Sequence, residues 1–358
     1  MSVTIADIAK EARVSKATVS RVLNDRAEGV GAETRLRVKE VMRRLDFTPS
    51  GAARDLATGR SRCIGLVIPD IIDPFAPLMI RGIEATLRGL GYGLFLCDSE
   101  NDLEREKEQL RLLAERRVEG VILNPALSGD ADQVELLERR LVPYVLLDRG
   151  VESDRSVPGV YTDNRAGARM GVEYLLSGGA RRLAFLNGPE GLSVSRLREA
   201  GVEDAFRAAK LDVMSITRGS GDYTVGSGER LIDGVLGEGA PSPASWVAAS
   251  PPPFDAVFAA NDRMAIGAVR ALRRRGIDVP GTVEVVGFDD IELASLVEPP
   301  LTTVAQPAFE MGQQAARMLL RTIAGKRQLE NGVLLDPKLV VRGTTRPRAN
   351  GPAPPPRQ

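Results

Sequence analysis

The chain has 358 residues, 48 Lys and Arg balanced by 48 Asp and Glu, and a hydrophobic share of 43%, enough for two or three packed domains and without an apolar run that would span a bilayer. It has no histidine and only two cysteines, Cys63 and Cys97, so Ser-His-Asp, Cys-His and His-rich metal sites are excluded, and the cysteines read as buried, reduced thiols. The charge is uneven: residues 1–60 carry twelve basic against eight acidic side chains, and the remainder 36 against 40.

The first stretch, TIADIAKEARVSKATVSRVLN, reads as two short helices and a tight turn. Thr4 is placed to cap the first helix, with Asp7 completing a capping box. Ile5, Ile8, Ala9 and Ala12 share a face. Arg13 and Val14 make the turn. Ser15 can cap a second helix over 16–23 that buries Val19, Val22 and Leu23. Its outward face is Lys16, Ala17, Ser20 and Arg21, side chains suited to a DNA major groove: Arg21 can bond guanine O6 and N7, and the Ala17 methyl can meet a thymine methyl. A third helix over 34–45 supplies Leu36, Val38, Val41, Met42 and Leu45 to lock the pair. Its arginines and Lys39 read mainly as a solvated face. Residues 49–59 are short, rich in small residues and bounded by Pro and Gly, a marginal helix or a linker.

From Cys63 the pattern alternates. Strands are expected at CIGLVIP, GYGLFLCD, VEGVILNP, PYVLLDR, RLAFLNG, DAVFAAN and VEVVGFDD. Helices are expected over 77–90, 103–116, 131–140, 165–176, 195–209, 223–236 and 263–275. Short apolar strands alternating with helices imply parallel sheets, and two such runs imply two doubly wound lobes. The polar residues collect at the strands' carboxyl ends, where open sheets bind ligands. Residues 239–253 read as a Pro/Ser-rich surface insertion and 347–358 as a disordered, Pro-rich tail.

The headpiece sequence resembles the N-terminal segment of the LacI family of bacterial transcriptional regulators. The resemblance continues through RVKEVMRRLDFTPSGAARDLATGRSRCIGLVIPDIIDPF, VFAANDRMAIGAVRAL and VVGFDDIELASLVEPPLTTVAQP, with the body most similar to ribose-operon repressors. It implies a helix-turn-helix headpiece over 1–48, a hinge helix and linker over 49–60, and a periplasmic-binding-protein-like core over 61–346. The three crossings between lobes are expected near Tyr161, Asp290 and Arg321. Lobe 1 would then hold 61–160 and 291–321, and lobe 2 161–290 and 322–346.

In that family the hinge helices of two subunits pair in the minor groove, so Ala53 and Leu56 are expected at the DNA, with Leu56 wedged between base pairs. Gly51 departs from the family's larger residue and weakens that helix. Lys16, Ala17 and Arg21 are expected to read bases, and Thr4, Ser15, Thr18, Ser20 and Asn24 to touch phosphates. The combination of Ala17, Arg21 and Leu56 implies an operator with a central CG step.

The resemblance also carries over a set of effector-binding residues: Asp73, Phe75, Asn124, Asp148, Arg198, Tyr223, Asn261, Asp289 and Gln306. Plainer roles stand beside these. Asp289 and Asp290, or Asn261 and Asp262, would cap the helices that follow them. Asp148 would pair with Arg149 or Arg165, and Tyr223 would be core. The expectation is a cytoplasmic, homodimeric repressor that binds a near-palindromic operator and responds to a sugar or sugar derivative. It is not an enzyme and needs no cofactor or metal. Rival readings are a purine or nucleoside corepressor, a protein coeffector, and a secreted solute-binding protein, which would carry a signal peptide and no basic headpiece.

Overall fold

A computed structural model describes residues 3–23, 29–47, 60–127, 132–151, 157–237, 252–325 and 332–348. The chain divides into two compact units, Met1–Arg62 and Cys63–Gln358. Asn24, Ala53, Leu56 and the whole of 49–59 lie outside the described residues.

The first unit holds α1 (Ile5–Glu11), α2 (Lys16–Leu23) and α3 (Ala32–Arg44). The capping box is present: Asp7 N donates to Thr4 Oγ1 at 3.3 Å and Thr4 N donates to Asp7 Oδ2 at 2.9 Å. Hydrogen bonds from the Thr4 side chain and backbone hold the Asp7 carboxyl below its ordinary range. Arg13 sits at φ 54°, and Ser15 Oγ accepts from Thr18 N at 3.1 Å. Ile8, Ala9, Ala12, Val19, Val22, Val30, Val38 and Val41 form the core, with Leu23, Met42 and Leu45 packed partly buried against it.

Leu36 departs from expectation, being 70% exposed. On α3 the inward stripe is 38, 41, 42 and 45, and position 36 lies two residues, about 200°, round from 38. The arginines of α3 are tied locally: Arg35 Nε donates to Val30 O at 3.2 Å, Arg37 Nε to Ala12 O at 3.1 Å, and Arg43 and Arg44 pair with Glu40 and Glu11.

The second unit is built on two six-stranded sheets. In chain order it runs β1 (Cys63–Ile68), α4 (Ala76–Arg88), β2 (Gly93–Asp98), α5 (Leu103–Glu115), β3 (Gly120–Leu123), α6 (Asp132–Arg139), β4 (Tyr144–Leu147) and β5 (Gly159–Thr162). It continues with α7 (Asn164–Ser177), β6 (Leu183–Asn187), α8 (Ser193–Ala208), β7 (Thr217–Ser220), α9 (Val225–Leu236), β8 (Ala256–Ala259), α10 (Asp262–Arg274) and β9 (Glu284–Asp289). The last elements are α11 (Glu292–Leu296), β10 (Thr302–Ala305), α12 (Ala308–Ile323), β11 (Gly332–Leu335) and β12 (Lys338–Val340).

The first sheet has the order β11-β5-β4-β3-β1-β2 and the second β12-β10-β9-β8-β6-β7. Every pairing is parallel except β10 with β12. Cys63 and Cys97 are half-buried, not buried as expected, and form no disulfide with each other: they stand on adjacent strands but pair with Gly93 and Val67. Burial pushes the Cys97 thiol up. Among the described residues no helix is long and apolar enough to cross a membrane.

Sheet membership corrects two of the three crossings. The first falls at Asp163, next to the expected Tyr161. The second lies at Gln306 and Pro307, not Asp290, because β10 stays in the second sheet beside β9. The third lies at Asp336 and Pro337, not Arg321, because α12 packs on the first lobe and β11 joins its sheet. Lobe 1 therefore includes α12 and β11, and lobe 2 includes β10. The sequence hides β10 because two of its four residues are threonines. Both hydroxyls are satisfied inside the core, Thr302 on Thr345 Oγ1 at 2.8 Å and Thr303 on Asp262.

The expected tail begins too early as well. Arg348 donates to Glu284 and stacks on Tyr174 at 4.7 Å, so the chain is anchored through 348. Burial raises the Glu284 carboxyl, but hydrogen bonds from Arg348 and Arg346 outweigh it and hold the group below its ordinary range.

Glycines let the helix pairs approach closely. A Cβ on Gly82 of α4 would fall 2.1 Å from Phe309 O of α12, and one on Gly312 of α12 would fall 2.1 Å from Met79 O. Gly228 of α9 and Gly267 of α10 repeat the arrangement. The obstacles are backbone atoms, which cannot swing aside. Gly312→Val should therefore destabilise the body by about 3 kcal/mol or more, read as a fall in melting temperature. Gly234→Ala, at a position with open space around it, should leave melting unchanged or raise it. Equal melting of parent and Gly312→Val would refute the close-approach account.

Candidate functional site

Both sheets direct strand ends into the cleft between the two lobes. From lobe 1, the turn after β1 brings Asp73 and Phe75, and the end of β4 brings Asp148 and Arg149. From lobe 2, α8 brings Val194 and Arg198, the turn before α9 brings Tyr223, and the ends of β8 and β9 bring Asn261 and Asp289. Gln306, on the second crossing, completes the lining. Eight of the nine expected residues thus meet in one cavity, and the ninth, Asn124, stands behind it and donates from Nδ2 to Asp148 Oδ2 at 3.3 Å. The cavity is narrow, about 30 Å³, room for a water molecule or two.

Arg198 is the central cation. Its Nε donates to Asn164 Oδ1 at 2.8 Å, its Nη1 donates to Ala260 O, and its Nη2 lies 3.7 Å from Asp289 Oδ1. The guanidinium also stacks 4.0 Å from the centre of the Phe288 ring. Gln306 Nε2 donates to Asp289 Oδ1 at 2.7 Å. Behind this layer the fully buried Asp262 accepts from Thr303 Oγ1 and from Ile291 N at 2.9 Å.

The carboxyls oppose one another. Burial raises Asp148 above its ordinary range, Arg149 and Arg198 pull it back, and Asp73 pushes it up. Burial raises Asp289 well above its ordinary range, against Arg198 and with help from Asp262 and Asp73.

The plainer roles also prove real for two residues. Asn261 caps α10 by accepting from Met264 N at 2.9 Å, and its Nδ2 donates to Tyr223 O at 3.1 Å. Tyr223 packs partly buried against the core, and its hydroxyl pairs with Ser195 Oγ at 3.0 Å. Asp290 caps no helix; it pairs with Arg342 at 2.7 Å.

Arg149, Val194, Asn164 and Ser195 are additions that sequence reasoning did not single out. Only Arg149 left a signal, a basic residue following Asp148 at a strand's carboxyl end. Its Nη1 reaches Pro125 O and Ala126 O, both at 3.3 Å, and Asn101 Oδ1 at 3.5 Å. It therefore braces the loop after β3 more than it faces the cleft.

On the headpiece, α2 buries Val19 and Val22 and leaves Lys16, Ala17 and Arg21 exposed. The hydroxyls of Thr4, Ser15 and Thr18 are engaged in caps and in a Ser15–Thr18 contact of 2.9 Å. Ser20 is half-buried on the same helix.

A helix-turn-helix unit whose second helix leaves Lys16, Ala17 and Arg21 exposed, in a chain whose body is a two-lobed cleft, defines a DNA-binding regulator with a small-molecule site. Residues 4–50 match the description "Bacterial regulatory proteins, lacI family" and residues 172–345 match "Periplasmic binding protein-like domain". The ribose operon repressor of Halalkalibacterium halodurans is 33% identical over 343 residues, covering 96% of this chain and 97% of its own length. The crystal structure of the lac repressor dimer bound to operator and the anti-inducer ONPF superposes with a TM-score of 0.84 at 31% identity, covering 96% of this chain and 99% of that one. A LacI family regulator from Enterococcus faecium with bound ribose gives a TM-score of 0.67 at 27% identity, covering 80% of this chain and 99% of that one. The chain belongs to the LacI family of bacterial transcriptional regulators, and it is a DNA-binding repressor, not an enzyme.

One buried acid supports the cleft from behind. Glu106 is fully buried and accepts from Ala126 N at 2.7 Å, on the loop that Arg149 also grips. Burial pushes its carboxyl from 4.5 up to about 7, against the Ala126 hydrogen bond and Arg149. An acid raised on folding binds its proton more tightly in the native state, so stability falls as pH rises from about 4.5 to about 7 and is level above. Glu106→Gln keeps an oxygen for Ala126 N and removes the titration. Its stability relative to the parent should rise across that window by about 3 kcal/mol, measured by urea unfolding at a series of pH values. Parallel curves for parent and variant would rule this out.

Proposed function

We propose that this repressor binds a near-palindromic operator as a homodimer and releases or tightens on it in response to a sugar or sugar derivative held in the cleft. The observation that carries the reading is α2, whose exposed Lys16, Ala17 and Arg21 stand opposite the buried Val19 and Val22. In a major groove Lys16, Ala17 and Arg21 would read bases, while Thr4, Ser15, Thr18, Ser20 and Asn24 would set position on phosphates. Ala53 and Leu56 belong to the proposed hinge, with a central CG step at the operator.

Dimerisation is supported by the related dimer bound to operator and by β2. That strand is an open edge of its sheet and exposes Phe95 and Leu96, a surface that water disfavours and a second chain would cover. The effector class is supported by the ribose-bound relative and by the relative named as a ribose operon repressor. Asp73, Phe75, Asn124, Asp148, Arg198, Tyr223, Asn261, Asp289 and Gln306 are the proposed effector contacts. A reader of chromosomal operators works in the cytoplasm.

Operator selection followed by fluorescence anisotropy tests the reading. Arg21→Ala should weaken the selected operator roughly 10- to 100-fold, the worth of a bidentate base contact, while leaving non-specific DNA nearly unchanged. Arg198→Ala should leave operator binding measurable and abolish its response to sugars. A full-length protein that selects no sequence with or without sugars would defeat the proposal.

A further inference from the structure

We infer that occupation of the cleft is coupled to the release of a proton, so that the regulator reads pH together with its effector. This rests on the proposed effector reading and adds a second input at the same site.

The cleft holds more carboxyls than cations. Asp73 and Asp148 come from lobe 1 and Asp289 from lobe 2, with the fully buried Asp262 close behind. The cations are Arg149 and Arg198, and Arg149 also acts on the buried Glu106 beneath its loop. The other charged neighbours pair among themselves: Arg263 lies 3.7 Å from Asp70, and Arg342 lies 2.7 Å from Asp290. The Tyr223 hydroxyl is taken by Ser195. Carboxylates crowded into a buried space cannot all stay ionised, and a proton kept on one of them removes part of the repulsion. Burial works in the same direction. It raises Asp148 above its ordinary range, Asp289 well above it and Asp262 to about 7, and Asp73 pushes Asp148 and Asp289 further.

Asp148 Oδ1 is where an incoming molecule meets that proton. It is buried without a hydrogen-bond partner, while Oδ2 accepts from Asn124 Nδ2 at 3.3 Å. A hydroxyl that donates to a carboxyl favours its ionised form. As the hydroxyl arrives, the carboxyl O–H bond breaks, its electron pair stays on Asp148, and the proton passes to the buffer. The hydroxyl stays intact and donates to the freed oxygen. Binding therefore includes a deprotonation at low pH and none at high pH. Affinity rises with pH through the titration of the unliganded cleft and is level above it.

Isothermal titration of the full-length protein counts the proton. The probes are ribose, glucose, cellobiose, adenosine and cytidine, each titrated in PIPES and in imidazole, buffers whose heats of ionisation differ, at a series of pH values from about 6 to about 8. A probe that binds should release up to about one proton at the acid end and less at the alkaline end, and its affinity should rise by up to about 10-fold per pH unit. Asp73→Asn keeps an oxygen for Phe75 N, which Asp73 Oδ1 accepts at 3.1 Å, and removes the charge that opposes both Asp148 and Asp289. It should move the whole profile to lower pH. Equal heats in the two buffers with a flat affinity profile, or uptake of a proton on binding, would overturn the inference and leave the regulator standing. A profile unmoved by Asp73→Asn would put the proton outside the cleft and overturn it as well. Binding of no probe by a protein that still holds its operator would sink the small-molecule reading, and this inference with it.

Discussion

A guanidinium cannot be left dry without partners, and the cleft is arranged around that requirement at Arg198. Burial of a charge costs several kcal/mol unless hydrogen bonds and counter-charge replace water. Here the replacements come from three places: Asn164 at the start of α7, the Ala260 carbonyl after β8, and Asp289 at the end of β9. Phe288 closes the remaining face. A planar fork meets all of these at once, which a lysine ammonium could not do. One side chain thereby fixes the mouths of two strands and the entry of the helix that follows the first crossing. Gln306 extends the same node to the second crossing by bonding Asp289.

Each lobe is stiff, because helix pairs such as α4 with α12 meet backbone to backbone at glycine. One buried apolar cluster runs through both lobes, but the polar contacts directly across the cleft are modest by comparison. Gly150 N donates to Ser193 Oγ at 3.1 Å, and Arg263 lies 3.7 Å from Asp70. Partly exposed contacts of this kind contribute about 1 kcal/mol or less each. Rigid lobes whose polar contacts are modest can change their separation as bodies, and a ligand that touches both walls shifts that balance by its difference in affinity for the two arrangements.

The parts of the chain ruled by local chemistry were legible in the sequence. The Thr4 and Asp7 box, the turn at Arg13 and the alternating strands follow from capping, backbone sterics and hydrophobic period. The polar residues at the carboxyl ends of strands marked the cleft, and the family resemblance selected among them. What misled was polarity satisfied at a distance. Thr302 and Thr303 look like a loop until Thr345 and Asp262 are seen to absorb their hydroxyls, residues remote in the chain. Leu36 misled in the opposite sense, an apolar residue on a polar face. Asn164 and Ser195 could not be singled out, since a small polar residue near a helix start is ordinary until its partner across the fold is known.

Three of the cleft residues hold left-handed backbone despite having side chains: Asp148 at φ 66°, Tyr223 at φ 63° and Asp289 at φ 111°. Each such residue costs of order 1–3 kcal/mol and persists only where its surroundings enforce it. A single carboxamide pins each one. Asn124 holds the Asp148 carboxylate, Asn261 holds the Tyr223 carbonyl, and Gln306 holds the Asp289 carboxylate. Lysine or arginine in those places would bond the carboxylates more strongly, but would neutralise the acceptors the cleft offers. An amide restrains the backbone through its NH2 and adds no charge of its own. The amide oxygens of Asn124 and Gln306 then add to the acceptor set, while that of Asn261 is spent on capping α10. Strain and acceptor surplus therefore share one cause: the cleft is propped by amides, so its unmet demand is for hydrogen-bond donors brought in from outside.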